Sequence, residues 1–594
     1  MKKLFTILLV LALSPNLQAQ TSPNFILILA DDQGWNGTSV QMDPSDTDSK
    51  SDFYETPNLE LLAAAGMRFS RAYAPAPKCS PSRMSIQTGQ TTARTGFTET
   101  SSAVASGEFL DTPASITSIS QSDTTLAEHL KSLTGLNYTT AHFGKWHLKS
   151  GGPANHGYDD SDGNTNNSDG NSPGANSTDP KKIFSITQSG IDFMDDAISN
   201  NEPFFLQLSH YAVHTRLQST QSSYSKYNSK TPGTRHDNAR YGAMTEDLDE
   251  ALGLIMDYVD DNNIDNDTYI IYTSDNGAAV NQSSNQPLKL GKTIIFEGGV
   301  RVPFVISGPG ISANTHSDEP IIGYDLFPTI VDLIGANMND LPSVVDGESF
   351  KDILDGTSTT LTRNQGLILH SPHYSNNANK EPRSAIIKGD DKLIVEYETG
   401  NRFLYDLSTD IGEATNNFND TSALSASLVI ELRDYLNSVS AELPSINSTQ
   451  SDSDGDGIPD DWEFENLLGA LYSDTDDTDD DGSTTLDEYQ NSTDPLVAQG
   501  QSQRALQGVT EPELKGSVPA LKLYPNPSKG FITVPNSQSK VFQILLYSLD
   551  GRLVLQKTTT SERIAIPATL QGIYYYEIKF ADKSYNSSGK LSVL

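Results

Sequence analysis

Phe25-Ile26-Leu27-Ile28-Leu29-Ala30-Asp31-Asp32 is a six-residue apolar run that ends on two acids. It reads as a β-strand delivering a pair of carboxylates to its carboxyl end. Working outward, similar runs occur at Tyr138–Phe143, Phe204–Leu208, Tyr269–Thr273 and Val302–Ile306. Amphipathic helical patterns lie between them at Asn58–Gly66, Ile186–Ser199 and Ala243–Asp260. Strands alternating with helices from Asn24 to about Asn437 predict an α/β domain around a largely parallel sheet. Asn155–Ser177, rich in Asn, Gly, Ser and Asp, reads as a long surface loop. Short strand patterns from Ser384 to Leu407 and a helix at Ala423–Val439 predict a smaller α+β part.

The chain has 594 residues, enough for three or four domains. Its net charge of −37 makes phosphate backbones and anionic lipid poor partners, so nucleic acid is not expected. The single cysteine, Cys79, excludes an internal disulfide framework. Lys2 and Lys3 precede an apolar run from Leu4 to Leu13 and a small-residue stretch around Ala19, the layout of a secretory signal. That run is too short to span a bilayer, and no later stretch is long enough, so no transmembrane segment is expected.

After Leu443 the composition changes. Asp452–Asp494 holds sixteen acidic residues and no lysine or arginine. Asp452, Asp454, Asp456, Gly457, Asp460 and Glu463 fall at positions 1, 3, 5, 6, 9 and 12 of a calcium loop. Asp477, Asp479, Asp481, Gly482 and Glu488 repeat positions 1, 3, 5, 6 and 12. Alternate carboxylates can converge, glycine permits the sharp turn, and the last glutamate can bind through both oxygens. The expectation is structural calcium stiffening a spacer. Leu521–Leu594 alternates apolar and polar residues between turn signals, which predicts a small β-sandwich.

Cys79-Ser80-Pro81-Ser82-Arg83 leads into a predicted helix beginning near Ser82. A thiol at a helix N-terminus beside an arginine is expected to be acidified. The pentapeptide resembles the Cys-x-Pro-Ser-Arg signature of the formylglycine-dependent sulfatases. In that family the cysteine is oxidised to formylglycine (3-oxoalanine) by a formylglycine-generating enzyme, and the aldehyde hydrate is the nucleophile. One hydroxyl attacks the sulfate, and the second expels it as the aldehyde re-forms, dividing one hard step into two.

Further sulfatase-like motifs follow in order over Asn24–Asn417. They are Asp31-Asp32, Gly144-Lys145-Trp146-His147-Leu148, Pro203–His214, Asp275-Asn276-Gly277, and Pro287…Lys292…Glu297-Gly298-Gly299…Arg301-Val302-Pro303. Leu404-Tyr405-Asp406-Leu407, leading to Glu413 and Asn416, resembles the family's C-terminal subdomain. The resemblance implies an alkaline-phosphatase-like core. It also implies one catalytic Ca²⁺ on Asp31, Asp32, Asp275 and Asn276, joined by the oxygen of modified Cys79; oxygen ligands suit that cation. By the same resemblance Arg83, Lys145 and Lys292 neutralise the sulfate, His147 takes a proton, and His214 protonates the leaving alcohol. The chain departs from the family at Val213 and Arg216, at Lys149, and at Lys289-Leu290, which are expected to reshape the pocket rim.

Leu523-Tyr524-Pro525-Asn526-Pro527, Asp550-Gly551-Arg552, Gly572-Ile573-Tyr574 and the closing Lys590–Leu594 resemble the C-terminal sorting domain of Bacteroidetes type IX secretion. That implies passage through the periplasm and release or attachment at the outer surface. The expected organisation is a signal peptide (1–20), a catalytic α/β domain (21–360), an α+β subdomain (361–443), an acidic spacer (444–496), a linker (497–520) and a sorting β-sandwich (521–594). The expected activity is hydrolysis of sulfate esters on a sulfated polysaccharide or oligosaccharide, marine algal glycan before host glycosaminoglycan. The rival readings are a phosphonate or phosphate monoester hydrolase, a calcium-dependent glycan-binding protein without catalysis, and, for the tail alone, a carbohydrate-binding sandwich.

Overall fold

The architecture is that of a computed structural model. It describes residues 22–497 apart from short gaps at 108–109, 375–380, 420–421, 447–451, 453–454, 470–474, 480–481 and 492, and six strands beyond them. The expected signal peptide, Asp454, Asp481, the linker from 498 to 520, Leu523–Pro527 and Asp550–Arg552 lie outside the described residues.

The core sheet has eight strands: β1 (Asn24–Ala30), β2 (Met67–Phe69), β3 (Thr139–Gly144), β4 (Asp160–Ser161), β5 (Phe204–Ser209), β6 (Thr268–Ser274), β7 (Phe304–Ser307) and β8 (Thr315–Ser317). Their spatial order is β8-β2-β7-β6-β1-β5-β3-β4. The run that opens the chain becomes the centre: β1 pairs in parallel with β5 (Leu27 opposite Gln207) and with β6 (Leu27 opposite Ile271). Alternation along β1 explains its continuous apolarity. Ile26, Ile28 and Ala30 enter one core with Met194, Leu248 and Leu252, whereas Phe25, Leu27 and Leu29 enter another with Met84, Leu126 and Phe327. Both faces are covered, as a mainly parallel sheet requires.

The sheet is mixed rather than wholly parallel, because β7 runs antiparallel to both β6 and β2. β7 starts later than the Val302–Ile306 expectation, because Pro303 has no N–H to donate to a ladder. The helices that matter for the site are α1 (Pro57–Ala65), α2 (Cys79–Thr88), α3 (Ile183–Asn200) and α4 (Ala239–Asp261). α2 begins three residues earlier than the sequence suggested. Pro81 lies within its first turn, where no N–H is needed.

The smaller part is a four-stranded antiparallel sheet, β9 (Leu367–Ser371), β10 (Arg383–Lys388), β11 (Asp391–Glu396) and β12 (Arg402–Asp406), with α5 (Ala423–Ser438). One face of it packs on α5 through Ile386, Leu393 and Leu432, and the other meets Tyr73, Ile294 and Phe296 of the core. The acidic segment joins this assembly: Phe464, Leu467, Leu468 and Leu496 enter the α5 core. Arg402 donates to the Leu467 carbonyl (2.7 Å), and Arg433 pairs with Asp494 (2.9 Å). Residues 500–594 form a separate compact unit. Its described strands make one two-stranded and one four-stranded antiparallel sheet, the latter ordered 553–559, 542–548, 572–580, 586–593.

Candidate active site

Carboxyl ends of adjacent parallel strands converge on one crevice. β1 delivers Asp31 and Asp32, β6 delivers Asp275 and Asn276, β3 delivers Lys145 and His147, and the chain after β5 delivers His214. Two of the turns demand glycine. At Gly277 a Cβ would run into the Gly298 carbonyl, and at Gly144 into that of Ser209. Asp32 and His147 adopt the left-handed conformation with side chains (φ 64° and 60°), a cost that recurs at functional positions. Thr165, from the long loop, holds the second of these turns: it accepts from Trp146 N (2.9 Å) through its hydroxyl and from His147 N (2.9 Å) through its carbonyl.

Cys79 is the first residue of α2, and its thiol is buried. Lys292 Nζ lies 3.5 Å from Sγ and 2.6 Å from Asp32 Oδ1. Lys145 Nζ donates to Asp31 Oδ2 at 2.6 Å. Arg83, one helical turn beyond Cys79, donates through Nε to Asp275 Oδ2 (2.8 Å) and through Nη1 to the Lys145 carbonyl (2.6 Å). Its donors thus brace the ligand loop, one layer behind the position expected for a group facing sulfate. His214 Nε2 stands 3.7 Å from Asp32 Oδ2.

The electrostatics correct one expectation. Burial pushes the Cys79 thiol up, and Lys145 and Lys292 oppose this only in part, so the thiol is not acidified. Burial raises Asp275 as well, reinforced by Asp31. Burial acts against Asp31 too, but there Lys145, His214 and Arg83 win and hold it far below the usual carboxylate range. Burial, with Lys145 and Arg83, pushes His147 down to about 3, which keeps its imidazole neutral.

The donor set fits calcium on grounds internal to the structure. Asp31 Oδ1 and Asn276 Oδ1 are buried without a hydrogen-bond partner, and such orphaned oxygens are costly unless a cation meets them. Ligand atoms of Asp31, Asp32, Cys79 and His214 all lie within 4.8 Å of one another. Asp275 is tied in through Oδ1, which accepts from Asp32 N (3.2 Å). A hard cation prefers the oxygens of this group to the imidazole of His214. In the acidic segment, Asp452 caps the first loop by accepting from Gly455 N (2.7 Å) and Gly457 N (3.0 Å). Gly457 and Gly482, the two position-6 glycines, have φ of 94° and 91°, and Asp460, Glu463 and Glu488 are buried.

Sequence reasoning missed Lys181, which is wholly buried among the site's neighbours. A signal existed: two lysines at the start of α3 oppose the helix dipole, which favours acids there. It also missed a second charged cluster beneath the Asp275-Asn276-Gly277 turn. There Glu297 binds Arg301 (2.7 Å) and Lys392 (2.8 Å), and Lys392 binds Glu413 (2.9 Å).

A helix start carrying a buried thiol, a cluster of buried carboxylates beside it and a surrounding set of lysines and histidines, on a mainly parallel α/β sheet, are the elements of a candidate hydrolase site. The sulfatase family profile matches residues 23–336, and the chain belongs to that family of sulfuric ester hydrolases. Residues 290–442 match the N-sulphoglucosamine sulphohydrolase C-terminal profile, and residues 522–593 match the secretion system C-terminal sorting domain. A sulfatase of Formosa agariphila is 29% identical over 478 residues, covering 67% of this chain and 85% of that protein. The N-acetylgalactosamine-6-sulfatase of Mus musculus is 32% identical, covering 53% of this chain and 63% of its own length. The crystal structure of Ps i-CgsB in complex with k-i-k-neocarrahexaose superimposes with a TM-score of 0.57 at 24% identity, covering 70% of this chain and 93% of that one.

Proposed function

We propose that this sulfatase is exported through the periplasm by the type IX route and hydrolyses sulfate esters of a sulfated polysaccharide or its oligosaccharides. Algal glycan is the first choice and host glycosaminoglycan the second. The observation that carries the reading is the convergence of Cys79, Lys292, Lys145, His147 and His214 on one oxygen-lined crevice. The named ligand of Ps i-CgsB, a neocarrahexaose, and the sulfated amino sugar in the name of the mouse relative support the substrate class.

Formylglycine made from Cys79 would supply a geminal diol, and calcium, which Asp31, Asp32, Asp275 and Asn276 would hold, would supply positive charge. The chain's own groups do the remaining work. Lys292 and Lys145 offer ammonium groups to the sulfate oxygens as charge develops. His147, neutral in the crevice, is the group that takes the proton in this reading. His214 delivers one to the leaving alcohol, because its other nitrogen is engaged by the Thr215 carbonyl at 2.5 Å. Arg83 fixes Asp275 and the Lys145 backbone. The two acidic loops bind structural calcium.

The test is peptide mass across Cys79 on protein from a maturation-competent host, with sulfate release assayed in parallel. A residue about 18 Da lighter than cysteine marks the aldehyde nucleophile. Cys79→Ala is expected to lower turnover by at least about 10⁴-fold with the melting temperature unchanged. Full activity in that variant would remove the nucleophile assignment.

A further inference from the structure

Lys181 and Lys182 both sit in the left-handed region (φ 54°) at the entry to α3. That conformation costs a side-chain-bearing residue about 1–2 kcal/mol and persists only where the surroundings impose it. Lys182 is exposed, but Lys181 is completely buried. Its ammonium donates to two neutral oxygens, Asn171 Oδ1 (2.9 Å) and the Thr215 carbonyl (3.3 Å). A buried cation whose hydrogen bonds, among the described residues, go to neutral oxygens is an expensive way to fill a core, which points to a task beyond packing. Burial pushes this ammonium down to about 8, while the Asp31 and Asp32 carboxylates pull the other way.

The Thr215 carbonyl is shared. His214 Nδ1 lies 2.5 Å from the same oxygen. A carbonyl can only accept, so Nδ1 carries the hydrogen, and Nε2 faces the crevice on the Asp32 side. We propose that Lys181 is a positioning residue for sulfate-ester cleavage: by anchoring the Thr215 carbonyl it locks His214 in the Nδ1–H tautomer with Nε2 turned to the leaving oxygen. This rests on the reading of His214 as the leaving-group acid. The arrangement has the logic of a carboxylate or carbonyl that orients a catalytic histidine from behind.

Leaving-group chemistry separates positioning from mere support. The phenolate leaving 4-nitrophenyl sulfate is stable without a proton, whereas the more basic phenolate leaving phenyl sulfate needs one. Full-length, formylglycine-bearing protein is assayed on both esters. Lys181→Met should lower kcat/KM for phenyl sulfate about 10- to 100-fold and leave 4-nitrophenyl sulfate within about threefold, the scale seen for groups that orient a catalytic ligand. Lys181→Arg, which keeps a cationic donor, should recover most of the loss. His214→Ala is the internal control. If it loses both substrates equally, the leaving-group reading of His214 fails. If it discriminates between them and Lys181→Met does not, the Lys181 proposal fails. Should Lys181→Met not fold, Asn171→Leu strips the ammonium of its other oxygen and must show the same substrate-dependent loss in weaker form. An equal loss on both esters would overturn the proposal.

Discussion

Two buried charge clusters lie on either side of the Asp275-Asn276-Gly277 turn, and they differ in how completely they close. In the lower one, both oxygens of Glu297 accept hydrogen bonds, from Lys392, Arg301 and Tyr73, and Glu413 Oε2 accepts from the Glu297 backbone N–H, while Glu413 Oε1 has no hydrogen bond but lies 2.9 Å from the Lys392 ammonium. In the upper one, Lys145, Lys292 and Arg83 face Asp31, Asp32 and Asp275, yet Asp31 Oδ1 and Asn276 Oδ1 stay unpartnered. Each balances its acids with an equal number of cations, two against two below and three against three above, but their saturation differs. The lower network joins the subdomain to the core, and the upper one keeps two buried oxygens that neither a hydrogen bond nor an ion pair meets.

Breaking the closed cluster should give the largest change in stability. Lys392→Met leaves Glu297 and Glu413 facing one another in the interior, and loss of one partner from such a network costs about 3–5 kcal/mol. Equilibrium denaturation should show that loss. Adding Glu413→Gln in the same chain should return a good part of it, because only one buried acid then remains, with Arg301 still beside it. If the double variant is as unstable as the single one, the cluster acts through packing and not charge.

Filling the open cluster should act in the opposite direction. Ca²⁺ at a hundredfold excess over its dissociation constant stabilises the folded chain by about 2.7 kcal/mol per independent site. Thermal melting with calcium and with chelator measures the total, to which the acidic loops also contribute. Asp31→Asn, which keeps the shape and removes one ligand charge, should abolish the share due to the crevice and leave that of the loops. A calcium response identical in Asp31→Asn and the parent chain would take the metal away from Asp31.

What was legible in the sequence has a physical pattern. β1, β3, β5 and β6 were visible because strands buried on both faces need unbroken apolar runs. Asp31, Asp32, Asp275 and Asn276 were visible because the topology puts strand ends in one place, so a motif directly after a strand carries its own address, whereas Lys145 was visible through its motif's resemblance to the family. The state of the Cys79 thiol was not visible: helix position and Arg83 suggested acidity, but Arg83 is engaged by Asp275 and burial prevails. The Glu297–Lys392–Glu413 cluster was hidden because its members are 95 and 116 residues apart and their motif reads equally well as chemistry or as bracing. Loop 155–177 reads from sequence only as a surface loop, yet one of its residues, Thr165, props the Lys145-Trp146-His147 turn.

The pH response should distinguish the clusters by sign, with the smallest effect of the three. Burial pushes Glu413 up to about 7, and the neighbouring Glu297 adds to this against Lys392. Its folded value is above its ordinary 4.5, so the native state binds the extra proton. The contribution is therefore complete below about pH 4.5 and fades as pH rises through 7. His147 is shifted the other way, from 6.5 down to about 3, so the unfolded chain binds the extra proton there and stability falls as pH drops below 6.5. Glu413→Gln should flatten the decline between pH 5 and 8 by on the order of 1 kcal/mol, because the pair shares its proton, and should leave the acid limb untouched. A variant whose acid limb moves instead would show that Glu413 is charged throughout, with Lys392 and Arg301 balancing the two acids.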